Sequence, residues 1–236
     1  MIIYISMTDF SSSELYEMES DKDKMEKIYT MIKGELSENI DMDKIARTMY
    51  PDLPEDDHEL IELFDHLVSK NDWSIFWLVT KWIKKRGLYE LEYMKHYERW
   101  LHDHIHRWGS CDVFCYRVLN PMVERYPELY DNVLGWSRSS KTYVRRAAPV
   151  SLLISGRSFS VDYEIDKVLE ISNCLKDYDE EHVQKGVGWL LKYAYLTYPD
   201  EVLNYLKENV DKIPRLVFRY ALEKVPEDIR EEMMTL

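Results

Sequence analysis

The sequence is poor in the residues that break helices and form tight turns. Its 236 residues include seven glycines and eight prolines, which is few for a fold built from many short strands. No apolar run approaches the roughly 20 residues of a transmembrane helix, and the first five residues lack the basic segment of a secretory signal. These absences favour a helical protein of the cytoplasm with no membrane span.

Cysteine is also scarce. Three cysteines are an odd number, so they do not make a complete disulfide framework. Cys111 and Cys115 lie one helical turn apart, and Cys111 falls on the apolar side of its predicted helix. We therefore expect reduced thiols, as in cytosolic proteins, with Cys111 in the core.

An overall positive charge, which is typical of nucleic-acid-binding proteins, is absent as well, because the formal net charge is −13. The balance nevertheless changes along the chain. Residues 1–80 carry 7 Lys/Arg against 19 Asp/Glu, residues 81–157 carry 14 against 8, and residues 158–236 carry 10 against 17. Screening limits the reach of distant charges to about 8–10 Å, so the basic central third can still attract phosphate locally.

Helix start and stop signals follow one another along the whole chain. The pair Asn71-Asp72 is a typical N-terminal cap, and Gly87 is a typical C-terminal stop. No segment shows the alternation of a half-buried strand, so the sequence predicts an all-α protein. After a first helix that follows residues 11–13, the predicted helices span 41–49, 54–68, 73–85, 88–107, 110–126, 127–138, 140–154, 161–175, 179–197, 199–209 and 212–231, the last interrupted by Pro214 and Pro226.

The helices repeat with a regular period. The segments Tyr126-Pro127-Glu128 and Tyr198-Pro199-Asp200 are 72 residues apart, and residues 144–148 align with residues 183–187 at a distance of 39. Periods of 31–39 residues with two helices each are typical of a HEAT-like helical-repeat solenoid, an α-α superhelix. We predict one domain over 1–236, with divergent helices at 1–70, motif-bearing repeats at 72–210 and C-terminal helices at 211–236.

Three short motifs lie at corresponding points of successive repeats. They are Arg107-Trp108-Gly109-Ser110-Cys111-Asp112, Arg145-Arg146-Ala147-Ala148 and Gln184-Lys185-Gly186-Val187-Gly188-Trp189. In this order and at this spacing they resemble the motifs of the bacterial DNA alkylation repair glycosylases built from HEAT-like repeats, the AlkD type. The resemblance covers about residues 72–210 and fades before residue 70, where the family's Gly-x-x-x-Pro-x-x-Arg segment is not found.

The resemblance implies a monofunctional alkylpurine DNA glycosylase that acts in base excision repair. Such an enzyme hydrolyses the N-glycosidic bond of cationic N3- or N7-alkylated purines in duplex DNA, and we expect a monomer without metal or nucleotide cofactor. The resemblance also implies that Asp112 is the essential aspartate, Arg146 the active-site arginine, and Trp108 and Trp189 the two tryptophans. From their places in the repeats, the residues expected to contact DNA are Arg107, Lys141, Arg145 and Lys185.

The residue types suit this chemistry. An alkylated purine is positively charged, so its bond to the sugar is already weak. A carboxylate stabilises the oxocarbenium-like sugar and positions water, as in glycoside hydrolysis. Indole faces attract cations, and an arginine can hold a phosphate through two hydrogen bonds. No general acid is evident near Asp112, since His106 is turned away on the helix, so release of neutral ethenoadenine is not expected.

Each of these residues also has an ordinary structural explanation. Asp112 at a helix start is typical of a cap, the two tryptophans are typical of a core, and Arg146 is typical of a surface ion pair. His102 and His106 share a helix face as metal ligands do, but without an evident third ligand an exposed helix surface is favoured. Two other functions remain open, namely a catalytically silent binder of damaged or branched DNA and a HEAT-type protein-interaction scaffold.

Overall fold

The computed structural model describes residues 21–38, 41–156 and 158–236, which fall into two compact units, 1–54 and 55–236. The described part of the first unit contains α1 (Asp21–Glu38), α2 (Met42–Thr48) and a 3₁₀ turn at Tyr50–Asp52. The helix predicted over 41–49 is α2, and Asp41 is its N-cap, because its carboxylate accepts a hydrogen bond from the backbone N–H of Lys44 at 3.0 Å. The predicted start of the first helix lies outside the described residues.

The second unit is helical apart from one short hairpin. Its elements are α3 (Asp57–Val68), α4 (Trp73–Arg86), α5 (Met94–His104), α6 (Trp108–Phe114), α7 (Asn120–Arg125), α8 (Tyr130–Ser137), α9 (Thr142–Val150), β1 (Ile154–Ser155), β2 (Phe159–Ser160), α10 (Ile165–Leu175), α11 (Glu181–Ala194), α12 (Pro199–Glu208), α13 (Arg215–Ala221) and α14 (Glu227–Thr235). The all-α prediction is confirmed. Among the described residues, no helix is both long and apolar enough to cross a membrane.

The caps of α3 and α4 follow from local sequence. The Asp56 carboxylate accepts hydrogen bonds from two backbone N–H groups in the first turn of α3, and Asp72 does the same for α4. Such caps satisfy donors that have no partner inside the helix. Gly87 ends α4 with a φ of 77°, a left-handed conformation that glycine adopts without strain.

Helices of successive repeats pack side by side in the order α4, α6, α9, α11, α13. Most side-chain hydrogen bonds between helices of neighbouring repeats join residues that are 31 to 40 positions apart, such as Asn120 to the carbonyl of Ser151 and Trp136 to Glu98. This spacing agrees with the predicted repeat period, and the helical-repeat fold is confirmed. Side chains at equivalent points of neighbouring repeats therefore face one another, which is the geometry that assembles the site below.

The long helix predicted over 88–107 is only α5, Met94–His104, in the structure. It begins regularly only at Met94 and stops at His104, because Ile105 turns into an extended conformation and buries its side chain. Arg107 is also extended, so α6 starts at Trp108. The prediction that Asp112 begins a helix is consequently wrong, since it is the fifth residue of α6 and caps nothing.

Between α6 and α7 the helix widens into a π-helical segment, Cys115–Leu119. Pro121 has no N–H to donate to the carbonyl of Arg117 four residues earlier. That carbonyl instead accepts a hydrogen bond from the Tyr89 hydroxyl at 2.9 Å. The hairpin of β1 and β2 was not predicted either, because strands of two residues are too short to show an alternating pattern.

Candidate active site

Four neighbouring helices line an open cavity of about 480 Å³. Three of its sides come from α6, α9 and α11, and the fourth from α13. The residues lining it are Trp108, Asp112, Arg146, His182, Lys185, Trp189, Lys192 and Tyr220. The structure thus brings together Asp112, Arg146 and both motif tryptophans, and Lys185 with them.

Asp112 and Arg146 form a two-point ion pair. The Nε atom of Arg146 donates to Oδ1 of Asp112, and Nη2 donates to Oδ2, each at 2.8 Å. Only 6% of Asp112 and 5% of Arg146 is exposed. Burial alone would lower the pKa of Arg146, but the hydrogen bonds and charge of Asp112 raise it. The guanidinium therefore stays charged and fixes the plane of the carboxylate.

Two glycines of α11 allow this arrangement. A Cβ atom on Gly186 would lie 3.2 Å from the ring of Pro149 and 3.6 Å from Nη1 of Arg146. A Cβ atom on Gly188 would lie 2.5 Å from Cβ of Tyr220. Because α11 packs against α9 on one side and α13 on the other, both neighbours approach its backbone closely. The absence of a side chain at both positions therefore permits this close helix packing.

The two tryptophans differ in their surroundings. Trp108, the first residue of α6, is 56% exposed, so it is not a core residue. Trp189 is half-buried, and its ring meets that of Phe159 edge-on with 4.8 Å between the ring centroids. Phe159 lies on β2 and also contacts Tyr193. The hairpin therefore braces one indole, while the other is free to contact a ligand.

The two lysines that line the cavity are ion-paired. Nζ of Lys185 lies 2.5 Å from a carboxylate oxygen of Glu181, and this hydrogen bond raises the pKa of Lys185. Lys192 pairs with Glu223. Lys185 consequently presents its positive charge at neutral pH, and both ion pairs lie beside the indoles and the Asp112 carboxylate.

The remaining basic residues expected at the DNA lie outside the cavity lining. Arg145 is buried, pairs with Glu180 and stacks over Tyr178 at 4.3 Å, so its guanidinium is not presented to the cavity. Lys141 is half exposed and donates to the carbonyl of His102 at 2.6 Å. Arg107 is exposed directly before α6, and within the described part of the chain it makes no ion pair.

Three lining residues, His182, Lys192 and Tyr220, were not singled out from the sequence. A signal for two of them was present in the spacing of α11. Positions 182, 185, 189 and 192 follow one another at intervals of three, four and three residues, which places them on one helix face. Because Trp189 is assigned to the site, this spacing predicts that His182 and Lys192 lie on the same face as well.

The cysteines and histidines do not form a metal centre in the described ranges, where no cluster of three or more His, Cys, Asp or Glu could hold an ion. Cys111 is buried in the core, as expected, and its sulfur lies 4.0 Å from that of Cys115. Burial and the neighbouring thiol raise the pKa of Cys115. These thiols are packing groups.

The family model described as "DNA alkylation repair enzyme" matches residues 38–225. The chain belongs to this family. The match extends beyond residues 72–210, on which the motif resemblance rests, and takes in α2 and α3 before residue 70. Membership of the DNA alkylation repair enzyme family therefore covers all the helices that line the cavity.

Two solved structures share the fold of this family member. One is a protein of Enterococcus faecalis that is described as a predicted DNA alkylation repair enzyme. Its TM-score is 0.62 and its sequence identity 13%, and the aligned region covers 87% of this chain and 96% of the Enterococcus chain. The protein smu.31 of Streptococcus mutans has a TM-score of 0.60 and 17% identity, covering 86% and 100%. No protein of curated function matches the sequence. At these identities the likeness establishes the helical-repeat fold.

Proposed function

We propose that the protein is a monofunctional alkylpurine DNA glycosylase that releases cationic N3- or N7-alkylated purines from duplex DNA. The observation that carries the proposal is the convergence of Asp112, the exposed Trp108 and the half-buried Trp189 on one cavity. Membership of the DNA alkylation repair enzyme family supports it. We further propose that the protein acts as a monomer and without a metal.

In the proposed reaction the bond between C1′ and the base breaks, and its electron pair neutralises the positive charge of the alkylated base. The positive charge passes to the sugar, where the Asp112 carboxylate stabilises it. Water then adds to C1′ and releases a proton to solvent. Arg146 does not touch the sugar in this scheme but holds the carboxylate in place through its two-point contact.

The ion pair leaves the carboxylate able to attract a nearby cation. At an effective dielectric constant of about 20, a cation about 4 Å from Asp112 gains about 4 kcal/mol, and the guanidinium about 8 Å away removes about 2 kcal/mol. About 2 kcal/mol of attraction remains. The position of the carboxylate in the cavity, between the sugar and Arg146, therefore matters more than the net charge of the pair.

The state of the lysines favours hydrolysis over a lyase reaction. A lyase needs a neutral amine to attack C1′, whereas Lys185 has a raised pKa beside Glu181 and Lys192 is paired with Glu223. We assign both lysines to the attraction of phosphate. Arg107 is a further proposed phosphate contact, with Lys141 at the edge of the surface, whereas Arg145 is assigned to the packing of α9 against Glu180.

The test uses duplex DNA that contains one N7-methylguanine, incubated with the protein and analysed by chromatography for free base. We expect release of N7-methylguanine and a strand that stays intact until alkali cleaves the abasic site. An otherwise identical duplex with guanine is the control. Binding without release would support the catalytically silent DNA binder, and absence of binding would support the protein-interaction scaffold; either result would contradict the proposal.

A further inference from the structure

The hairpin of β1 and β2 follows α9 in the chain and contacts the helices on both sides of α9. Helices pack in the order α6, α9, α11, so α9 lies between the helix that carries Asp112 and the helix that carries Trp189. β1 packs against the π-helical segment Cys115–Leu119, which continues α6, and β2 packs against α11. The hairpin therefore bridges the two helices that supply the carboxylate and one indole.

The ring of Phe159 on β2 makes this bridge. Its centroid lies 6.0 Å from that of Tyr116 in the π-helical segment, 4.8 Å from that of Trp189 and 5.7 Å from that of Tyr193 on α11. Favourable aromatic pairs have centroid separations of about 4.5–7 Å. One half-buried ring thus joins aromatic side chains from both helices.

This aromatic cluster lies one helical turn away from the residues that line the cavity. Tyr116 follows Asp112 by four residues, and Tyr193 follows Trp189 by four, so the two members of each pair share a helix face. Asp112 and Trp189 line the cavity, whereas the two tyrosines and Phe159 are not part of the lining. Phe159 consequently supports the cavity wall and acts on a ligand only through Trp189.

The backbone around Phe159 is fixed on both sides. β1 and β2 pair in antiparallel fashion, with Ser155 opposite Phe159. Leu153 directly before β1 and Val161 directly after β2 are both buried. Because both ends of the hairpin are packed in the core, displacement of the Phe159 ring would cost buried apolar contacts.

We propose that Phe159 is a positioning residue, which holds the indole of Trp189 in one orientation relative to the Asp112 carboxylate so that the two together hold the deoxyribose. The proposal rests on the proposed glycosylase function. A side chain on the open side of a helix has several rotamers available, and the edge-on contact with Phe159 stabilises one of them. Groups that are already in place stabilise a transition state without reorganising during the reaction.

The first experiment measures single-turnover release of N7-methylguanine and the affinity for the same duplex. Phe159→Leu keeps an apolar side chain but removes the ring, so the rate should fall about 2- to 10-fold, which is the contribution of an aromatic pair beyond its burial. Phe159→Tyr keeps the ring and should keep the wild-type rate. DNA affinity should change less than about twofold in both variants, because phosphate contacts dominate it.

Val161→Ala is the matched control. It removes buried apolar contacts beside the hairpin but no aromatic ring, so it should lower stability and keep the wild-type rate. A rate that falls as much in folded Val161→Ala as in Phe159→Leu would contradict the proposal, because general loosening of the hairpin would then explain the loss.

A double-mutant cycle shows whether Phe159 acts through Trp189. In Trp189→Ala the indole is absent, so the addition of Phe159→Leu should lower the rate no further. If Phe159→Leu lowers the rate by the same factor in both backgrounds, the two side chains act independently and the positioning role is incorrect.

A spectroscopic measurement detects the orientation of the indole directly. The seven tryptophans are labelled with 5-fluorotryptophan, and the fluorine resonance that is missing in Trp189→Phe belongs to Trp189. In Phe159→Leu this resonance should shift and broaden as the indole exchanges between rotamers. The resonances of the other tryptophans, and the whole spectrum of Val161→Ala, should stay close to those of the wild type.

The outcomes separate this inference from the function on which it rests. If the wild type releases N7-methylguanine and folded Phe159→Leu releases it equally fast, the positioning role is overturned and the glycosylase stands. An unchanged Trp189 resonance in Phe159→Leu would also overturn it. If the wild type releases no base, the glycosylase proposal fails, and this inference with it. Thermal unfolding checks the fold of each variant, and Phe159→Met, with a flexible apolar side chain, is the second variant if Phe159→Leu does not fold.

Discussion

The guanidinium of Arg146 makes its two-point contact with the carboxylate of Asp112, not with solvent. Both contact distances are 2.8 Å, and a third donor of the same guanidinium is bound to the carbonyl of His182. From sequence, Arg146 was expected to hold a phosphate in this two-point manner. In the structure three of its five N–H donors are already bound within the protein, and its charge faces a buried counterion. It is a residue that positions the carboxylate.

This pairing sets the expected salt dependence of DNA binding. Arg107→Ala removes an exposed cation that has no ion-pair partner within the described residues, so the slope of log affinity against log salt should flatten by about 0.9. Arg146→Ala should flatten it less, because Asp112 already neutralises that charge. The measurement is a titration of duplex DNA at several salt concentrations.

Arg230→Ala is the control for this series, since Arg230 lies on α14 and pairs with Glu227. Its slope should equal that of the wild type. If Arg146→Ala flattens the slope as much as Arg107→Ala, then Arg146 reaches a phosphate in the complex, and the positioning role assigned to it is incorrect.

Because α13 approaches Gly188 closely, we predict that a side chain at this position lowers the free energy of unfolding. In Gly188→Ala the new methyl group would lie 2.5 Å from Cβ of Tyr220, so the two helices must move apart. We expect a loss of about 1–3 kcal/mol in the free energy of unfolding, as for other overpacked sites. The matched control is Gly135→Ala in α8, which has nothing within 4 Å and should gain about 0.5–1 kcal/mol. Equal stability of the two variants in urea unfolding would contradict the close packing.

The carboxylate of Asp65 predicts how stability depends on pH. Burial raises its pKa, but hydrogen bonds from Arg99, Trp100 and His96 lower it below the usual 3.8 overall. A pKa that is lower in the folded than in the unfolded state adds stability above the unfolded pKa, and this stability is lost as the pH falls toward the folded value. Asp65→Asn should therefore cost about 1–3 kcal/mol at neutral pH.

The difference between Asp65→Asn and the wild type should shrink below about pH 4, because the wild-type carboxylate is then protonated as well. Urea unfolding at neutral and acidic pH measures it. Asp103→Asn, which removes an exposed pair with Lys141, should cost about 0–1 kcal/mol. A difference for Asp65→Asn that stays constant with pH would contradict the account.

Much of this architecture could be predicted from sequence because it depends on local signals. The cap at Asp72, the stop at Gly87 and the repeat period are all set by residues close together in the chain. Asp112 lies 34 residues before Arg146, which is one repeat period, so the two side chains come to equivalent points of neighbouring repeats and pair. Both residues line the same cavity for that reason.

The failures have equally physical causes. Arg145 and Arg146 look alike in sequence, but consecutive residues of a helix point about 100° apart, so only one of them faces the cavity. Asp112 was assigned to a helix start because the break at Ile105 depends on how that side chain is buried. His182 carries no motif of its own, and only its spacing from Lys185 and Trp189 on α11 indicates that it lies on the cavity face.

The most direct test of the account is the single-turnover release of N7-methylguanine by Asp112→Asn. The substitution keeps the shape of the side chain and removes its charge, so release should fall about 10²- to 10³-fold while DNA affinity changes little. Because the variant leaves a buried guanidinium without its anion, at a cost of about 3–5 kcal/mol, its folding is checked by thermal unfolding at the assay temperature. Asp211→Asn, an exposed aspartate outside the cavity lining, should keep the wild-type rate. A folded Asp112→Asn that releases the base at the wild-type rate would contradict the central claim.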